Sequence, residues 1–567
     1  MKKNRYITTV FVLSALLYSC KKDYLEVKTI QADISVEKLY ANYTYVQGVV
    51  WNMYSYLPSG FYSTATTGYV NGDLQMEAAS DEAEATNVQD RSQAFNNGTW
   101  NQYTNPDDVW NANFDGIRQA NLYLKNKDKV DISYIKNKIT TSDSSAYFNA
   151  RDNVKFMQGE ALFLKAFFYL ELVKRYGGVP IFEQPLDYND PNTWKNVQRN
   201  TVDECIKYIA SLCDKAGAII PANLTPYSWY DAGRVTQGAI RALKAKALLY
   251  GASPLFTGNG STTTWAQAAK ASADVIALKA YSLDANYTNL FRENNTTSPE
   301  LIFYRRYGGI NTVEFYNFPI VFQNSIGLSI TPTENLVSDF EVLQKNGNVT
   351  VAVPFDWNNP VHAANPYANR DSRFAATVVY NGATFSSKLI ETFTGGNSGL
   401  PKQGATKTGY YLSKWVNPSI DLVNATTANH SWSYFRYGEV LLNYAEAMFN
   451  AYGASADPQG YGMTALQAIN LVRQRAKMPV LTTLNQQAIE HERNVELSFE
   501  NNRFWDVRRW KKGVQYFNTP VNRIDITSTG TYTVKPLENR SFTEKMNWYP
   551  IPQSEISKTG WKQNPGW

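Results

Sequence analysis

Residues 153–176 read NVKFMQGEALFLKAFFYLELVKRY. Met157, Ala161, Leu164, Phe168 and Leu172 recur at steps of three and four, and Phe163, Phe167 and Leu170 widen the stripe, so the segment is a helix with a broad buried face. Gly177-Gly178 can adopt the left-handed backbone that closes a helix, and Pro180 forbids continuation, which places the end near Tyr176. A second helix, about Thr201 to Ala218, follows closely enough to pack back against the first.

The pattern recurs twice. Thr236 to Ala252 (TQGAIRALKAKALLYGA) is stopped by Ser253-Pro254 and followed by about Trp265 to Ala280. Ala239, Ala242, Ala245 and Ala247 are small enough to let a neighbouring helix approach closely. Late in the chain come Tyr437 to Ala451, Met463 to Lys477 and a longer helix from about Asn485 to Asn502. These helix–turn–helix units predict a mainly α, tetratricopeptide-like stack, although no strict repeat length is kept. Two long regions, roughly 51–115 and 283–435, lack helical periodicity and are rich in Gly, Asn, Thr, Tyr and Trp. Loops of that length usually serve a function. Ala375 to Tyr380 (AATVVY) predicts one of a few short strands there. With no Pro- or Ser-rich linker, the chain reads as one large domain.

Outward from this core, the first nineteen residues have the layout of an export signal: Lys2, Lys3 and Arg5, an apolar run from Ile7 to Leu17, then Tyr18-Ser19-Cys20. As a helix the apolar run would rise roughly 16 Å, well short of a hydrocarbon core about 30 Å thick, so it is a poor membrane span. Leu17-Tyr18-Ser19-Cys20 looks like a bacterial lipobox, in which the Cys20 thiol accepts a diacylglyceryl group before cleavage makes it the N-terminus. The alternative is an ordinary secretory signal with an incidental cysteine. Nothing downstream approaches a membrane-spanning length, so a lipid at Cys20 would be the sole attachment, at the outer membrane. Removing residues 1–19 lowers the net charge of +5 by three, to +2, which implies neither nucleic acid nor an acidic surface as partner.

Cys205 and Cys213 lie eight apart on one predicted helix, about 12 Å between Cα atoms and beyond disulfide reach, so they read as buried thiols. His362, His430 and His491 are scattered without paired spacing, which gives zinc binding and imidazole catalysis little support, and no cofactor is indicated. Asp81-Glu82 with Glu84 and Asp90 could gather oxygen ligands for calcium, but the reading adopted is structural pairing with no metal. Aromatic residues make up 14% of the chain, with 38 Tyr and 14 Trp; much of this must be core, yet Tyr and Trp also put a flat apolar face and a hydrogen-bonding tip on binding surfaces.

Several blocks, in order, carry a resemblance to a family. They are CKKDYLE (Cys20 to Glu26), QGEALFLKAFFYLELVKRYGGVPI (Gln158 to Ile181), GRVTQGAIRALKAKALLYGASPLF (Gly233 to Phe256), PTENLVSDFEV (Pro332 to Val342), NRDSRF (Asn369 to Phe374) and TGYYLSKW (Thr408 to Trp415). FRYGEVLLNYAEAMF (Phe435 to Phe449), ERNVELSFENNRFWDVRRW (Glu492 to Trp510), YPIPQSEI and the terminal QNPGW complete the set. Together they resemble the SusD/RagB family of Bacteroidetes nutrient-binding lipoproteins over nearly the whole chain. Asn501-Asn502 is a small departure, standing where members usually have Gly-His or Gly-Lys before the Arg.

The resemblance implies a SusD-like domain over 20–567, with an N-terminal part of about 20–230 and a C-terminal part of about 280–567. It also implies a SusC-like TonB-dependent barrel transporter as partner, with the lipoprotein acting as a lid that holds a glycan for import. An oligopeptide is the rival ligand. A surface glycoside hydrolase is a third reading, but no carboxylate pair stands out for it.

A sugar offers apolar C–H faces rimmed by hydroxyls and so calls for aromatic platforms beside amides, carboxylates or arginine. AFNNGTWNQYTNPDDVW (Ala94 to Trp110) supplies Trp100 and Tyr103 with Asn101 beside them, in the region from which similar family members take sugar-stacking residues. FYRRYGGINTVEFYNF (Phe303 to Phe318) supplies Tyr307 and Tyr316. Trp110 opens a helical stretch and reads as core, and Arg175, Arg436, Arg503, Arg508 and Arg509 read as scaffold.

Overall fold

The computed structural model describes residues 35–61, 73–136, 141–187, 192–293 and 295–567. The export signal and Cys20 lie outside the described residues.

The helices that frame the molecule are α1 (Tyr43–Tyr54), α2 (Trp110–Asn126), α3 (Thr141–Tyr176), α4 (Val202–Gly217), α5 (Gln237–Ala252), α6 (Trp265–Ile276), α7 (Tyr437–Tyr452), α8 (Ala465–Arg475), α9 (Gln486–Leu497), α10 (Arg503–Arg509) and α11 (Gln553–Thr559). From α2 to α8 each packs on the next in sequence order, and α6 packs on α7 across more than 150 intervening residues. The helical stack is therefore continuous although the chain that builds it is interrupted. The expected starts fall on caps: Thr201 and Thr264 form capping boxes with Glu204 and Gln267, and the Thr236 side chain accepts from Ala239 N.

The stack is tight because α5 is small on the faces it buries. Ala239, Ala242, Ala245 and Ala247 are all buried. At Gly251 an added Cβ would lie 2.8 Å from Thr263 Oγ1 and 2.9 Å from Ile206 Cγ2, so only glycine permits that approach. Cys205 and Cys213 are free and buried on α4, as expected. Burial pushes the Cys205 thiol up to about 12.

Three local expectations are corrected. First, α3 begins at Thr141, twelve residues before the apolar periodicity does; residues 145–152 are mostly exposed and carry no inward stripe. Second, the long helix expected over 485–502 ends at Leu497 and resumes as α10; Phe499 and Asn501 turn the backbone with φ of 59° and 56°. Third, Ala375 to Thr377 are helical, within Ser372–Thr377, and only Val378–Val379 are extended, paired with Tyr411–Leu412.

The longest strand pairing in the described residues joins the two ends of the second irregular region. Strand β1 (Leu301–Ile310) runs antiparallel to β2 (Ala428–Arg436), with Arg305 opposite Trp432 and Leu301 opposite Arg436, and with bulges along the way. The ribbon lies across α5 and leads straight into α7.

Candidate functional site

The first expected platform does not form. Trp100 is 2% exposed, with its ring 4.8 Å from Phe95, 5.0 Å from Tyr549 and 4.6 Å from Trp567. It is a core residue, because the C-terminal segment folds over it and leaves no face for a sugar. The Asn101 side chain accepts from Tyr103 N at 2.9 Å and Thr104 N at 3.2 Å, so its carbonyl builds the turn. Tyr103, at the tip of that turn, is 72% exposed and is the one aromatic of this loop set that faces solvent. Trp110 is buried, as expected.

The second candidate segment sits elsewhere, against residues 57–61 and β2. The half-buried Tyr307 donates its hydroxyl to Ser59 O and lies 5.5 Å from the Phe61 ring. Burial pushes that hydroxyl up to about 12, against the opposing pull of Arg305. Tyr316 is half-buried, edge-on to Phe315 at 5.5 Å. The fold therefore does not bring the two segments into one site.

The carboxylates weighed for calcium have separate partners. Asp81 accepts from Arg503 at 2.8 and 2.7 Å, Glu84 from Arg540 at 2.8 Å, and Asp90 from Ser92 N at 2.9 Å. Glu82 faces Glu77 in the core. No group of three metal-ligating side chains converges among the described residues. The histidines are also apart: His362 with Gln344, His430 with Glu314, and His491 with the Asp339 carbonyl.

The arginines form the scaffold. Arg175 joins Asp107 and Glu171, Arg436 joins Glu300, Glu496 and Glu500, and Arg509 joins Glu446 and Asp506. Arg508 instead lies against aromatic rings, 3.9 Å from Phe504 and 5.1 Å from Tyr549, and burial lowers it to about 10.

An open aromatic cleft of about 360 Å³ does form beside the Tyr307 ribbon, between α1 and β1. Helix α1 is capped by Asn42, whose side chain accepts from Thr44 N and Tyr45 N, and it turns Val46, Val50 and Met53 inward. Trp51, one step past Val50, is thereby left 50% exposed on the cleft wall, with Tyr54 and Leu57 below it. Tyr304, Arg305 and Arg306 of β1 form the opposite wall. Arg305 ties the two walls by donating to Leu57 O at 2.8 Å and Pro58 O at 3.3 Å.

Behind the cleft, the Tyr54 hydroxyl donates to Glu160 Oε2 at 2.5 Å, and Glu160 pairs with Arg234, whose guanidinium lies 4.0 Å from the Tyr230 ring. Burial, then Glu160, holds the Tyr54 hydroxyl well above its usual range, so it stays a donor. Arg306 is exposed on the cleft wall. A flat indole face opposite a phenol and a guanidinium can stack on an apolar face while donating to its polar rim. Sequence reasoning missed Trp51, because a single exposed aromatic on a helix is ordinary and carries no signal by itself.

Residues 299–567 match the SusD family, and residues 23–249 match a family described as starch-binding and associating with the outer membrane. The chain is 22% identical over 536 residues to a SusD-like protein of Formosa agariphila, covering 90% of each. Its fold is similar to that of a SusD-like protein of Bacteroides fragilis, with a TM-score of 0.74 and 24% identity over 94% of this chain and 99% of that one. A SusD-like carbohydrate-binding protein from the same species gives 0.73 and 22%, over 92% and 99%. The chain belongs to the SusD/RagB family.

Proposed function

We propose that the chain captures a glycan at the bacterial surface, tethered through a lipid on Cys20, and passes it to a TonB-dependent barrel transporter of the outer membrane. The observation that carries the binding reading is the Trp51 cleft, where an exposed indole faces Tyr304 and Arg306 across about 360 Å³. A similar structure described as carbohydrate-binding and a family described as starch-binding support the same ligand class.

Binding without hydrolysis is the expected mode. Glycoside cleavage uses two carboxyl groups about 5–9 Å apart across the scissile bond. The cleft lining holds no Asp or Glu. Ligand would be held by stacking and hydrogen bonds and released intact.

The test is a retention assay with the soluble chain, residues 21–567, against a panel of polysaccharides and peptide digests, with reducing ends measured in parallel. Saturable retention of a polysaccharide with no new reducing ends is expected. Retention of peptides alone would shift the reading to oligopeptide uptake, and released reducing ends would replace it with hydrolysis.

A further inference from the structure

Donors outnumber acceptors in the Trp51 cleft. Arg234, Arg305 and Arg306 line it beside Tyr54, Ser55 and Tyr304, and no lining residue is an acid or an amide. A guanidinium donates and never accepts. The Tyr54 hydroxyl is already taken up, donating to Glu160 at 2.5 Å and accepting from Val235 N at 3.3 Å, and the Ser55 hydroxyl donates to Asn52 O at 2.7 Å. A neutral sugar brings a proton with every hydroxyl and would meet few side-chain acceptors here, whereas a carboxylate or sulfate brings acceptor oxygens only.

The lining is also positively charged. Arg234 is balanced by Glu160, but no lining carboxylate offsets Arg305 or Arg306. Arg305 spends N–H groups on Leu57 O and Pro58 O, which hold it in place and leave its charge. Asp73 also acts on Arg305, but burial pushes that carboxyl up to about 7. Arg306 and Tyr304 lie two apart on β1, opposite Ser431 and Ser433, and so share a face. The Arg306 stem runs over Gly233: a Cβ added there, at a φ of 94°, would lie 3.8 Å from Arg306 Cδ. The stem is thus seated while the residue stays exposed. Its planar fork matches two oxygens of a carboxylate or a sulfate. Without residues 1–19 the net charge of +5 falls to +2 for the whole chain, so the positive lining is a local feature.

Resting on the glycan reading above, we propose that the Trp51 cleft selects an anionic sugar unit, a uronate carboxylate or a sulfate ester, with the ring stacked on Trp51 and the anion on Arg306 in the field of Arg305. An acidic polymer would then be drawn to the cleft by charge and held by stacking.

The experiment measures retention by the soluble chain of two matched pairs: polygalacturonate with its carboxyl-reduced form, and κ-carrageenan with its desulfated form. The first pair reads a carboxylate and the second a sulfate. At least one acidic polymer is expected to bind roughly tenfold more tightly than its neutral partner, and to weaken severalfold between about 50 and 300 mM NaCl. Arg306→Gln, at an exposed position, should weaken that polymer roughly fivefold and leave any retention of the neutral one nearly unchanged. Trp51→Ala should weaken both. Equal retention within each pair, or an Arg306→Gln loss shared equally by the acidic and neutral polymers, overturns the anion preference while the glycan reading stands. Retention of no polysaccharide, or of peptide digests alone, overturns both.

Discussion

Arg436 Nη1 donates to Glu496 Oε1 at 2.7 Å, tying the end of β2 to α9 across 60 residues of chain. The same guanidinium also reaches Glu300 at 2.7 Å and Glu500 at 2.6 Å, and all four side chains are buried. Arg436, Arg475 and Arg373 hold the Glu496 carboxyl well below its usual range despite its burial. This hub is where the ribbon, the helical stack and the turn before α10 meet.

Arg436→Met strands three buried carboxylates, only partly served by Arg475, Arg373 and Lys414. Breaking a buried pair costs about 3–5 kcal/mol, so the urea unfolding midpoint should fall markedly. An unchanged midpoint would show that the hub contributes no stability.

Trp51 and Trp100 should separate binding from folding. Trp51→Ala removes a half-exposed platform and should reduce polysaccharide retention severalfold at nearly unchanged melting temperature. Trp100→Ala empties a buried aromatic site and should cost about 3–5 kcal/mol of stability. Equal melting losses in the two variants would refute this division.

Stability should also respond to the buried Glu77–Glu82 pair. Glu77 Oε2 and Glu82 Oε1 are buried with no hydrogen-bond partner among the described residues, and burial favours the neutral form of both carboxyls. Burial raises Glu77 from 4.5 to about 7, and burial plus the neighbouring Glu77 raises Glu82 further. Between pH 4.5 and 7 the folded chain therefore keeps a proton that the unfolded chain has lost, so this pair's contribution falls as pH rises through that window. Glu496 acts with the opposite sign, stabilising at neutral pH and losing its contribution as acid protonates it. Glu82→Gln should melt higher than the parent chain at pH 8 and coincide with it at pH 5. Parallel melting curves across that range would rule out a proton retained on this pair in the folded chain.

The tether proposed at Cys20 predicts that Cys20→Ala moves the protein from the membrane fraction to the soluble one and leaves the affinity of the proposed glycan site unaltered; no helix among the described residues is long and apolar enough to cross a membrane. Fractionation with immunoblotting reads the first effect and calorimetry the second. A variant that stays in the membrane fraction would mean that something other than the lipid holds it.

The helical stack, its caps and the buried thiols are legible in the chain alone, because the threonine caps, the 157–172 apolar stripe and the α5 alanines act within a few residues of one another. It also gave the arginines a structural role before their partners were known, since so many cations amid aromatics and carboxylates need pairing to be buried. Which aromatics stay free is settled only when distant segments meet. Trp100 looks like a platform until Tyr549 and Trp567, more than 440 residues later, close over it, and β1 finds β2 over a separation of more than 100 residues. Trp51 was judged by its neighbours in the same way, left half-exposed because Val50 and Met53 took the inward face. Burial is a property of contacts between distant segments, so a local pattern can propose a binding surface but cannot say what will cover it.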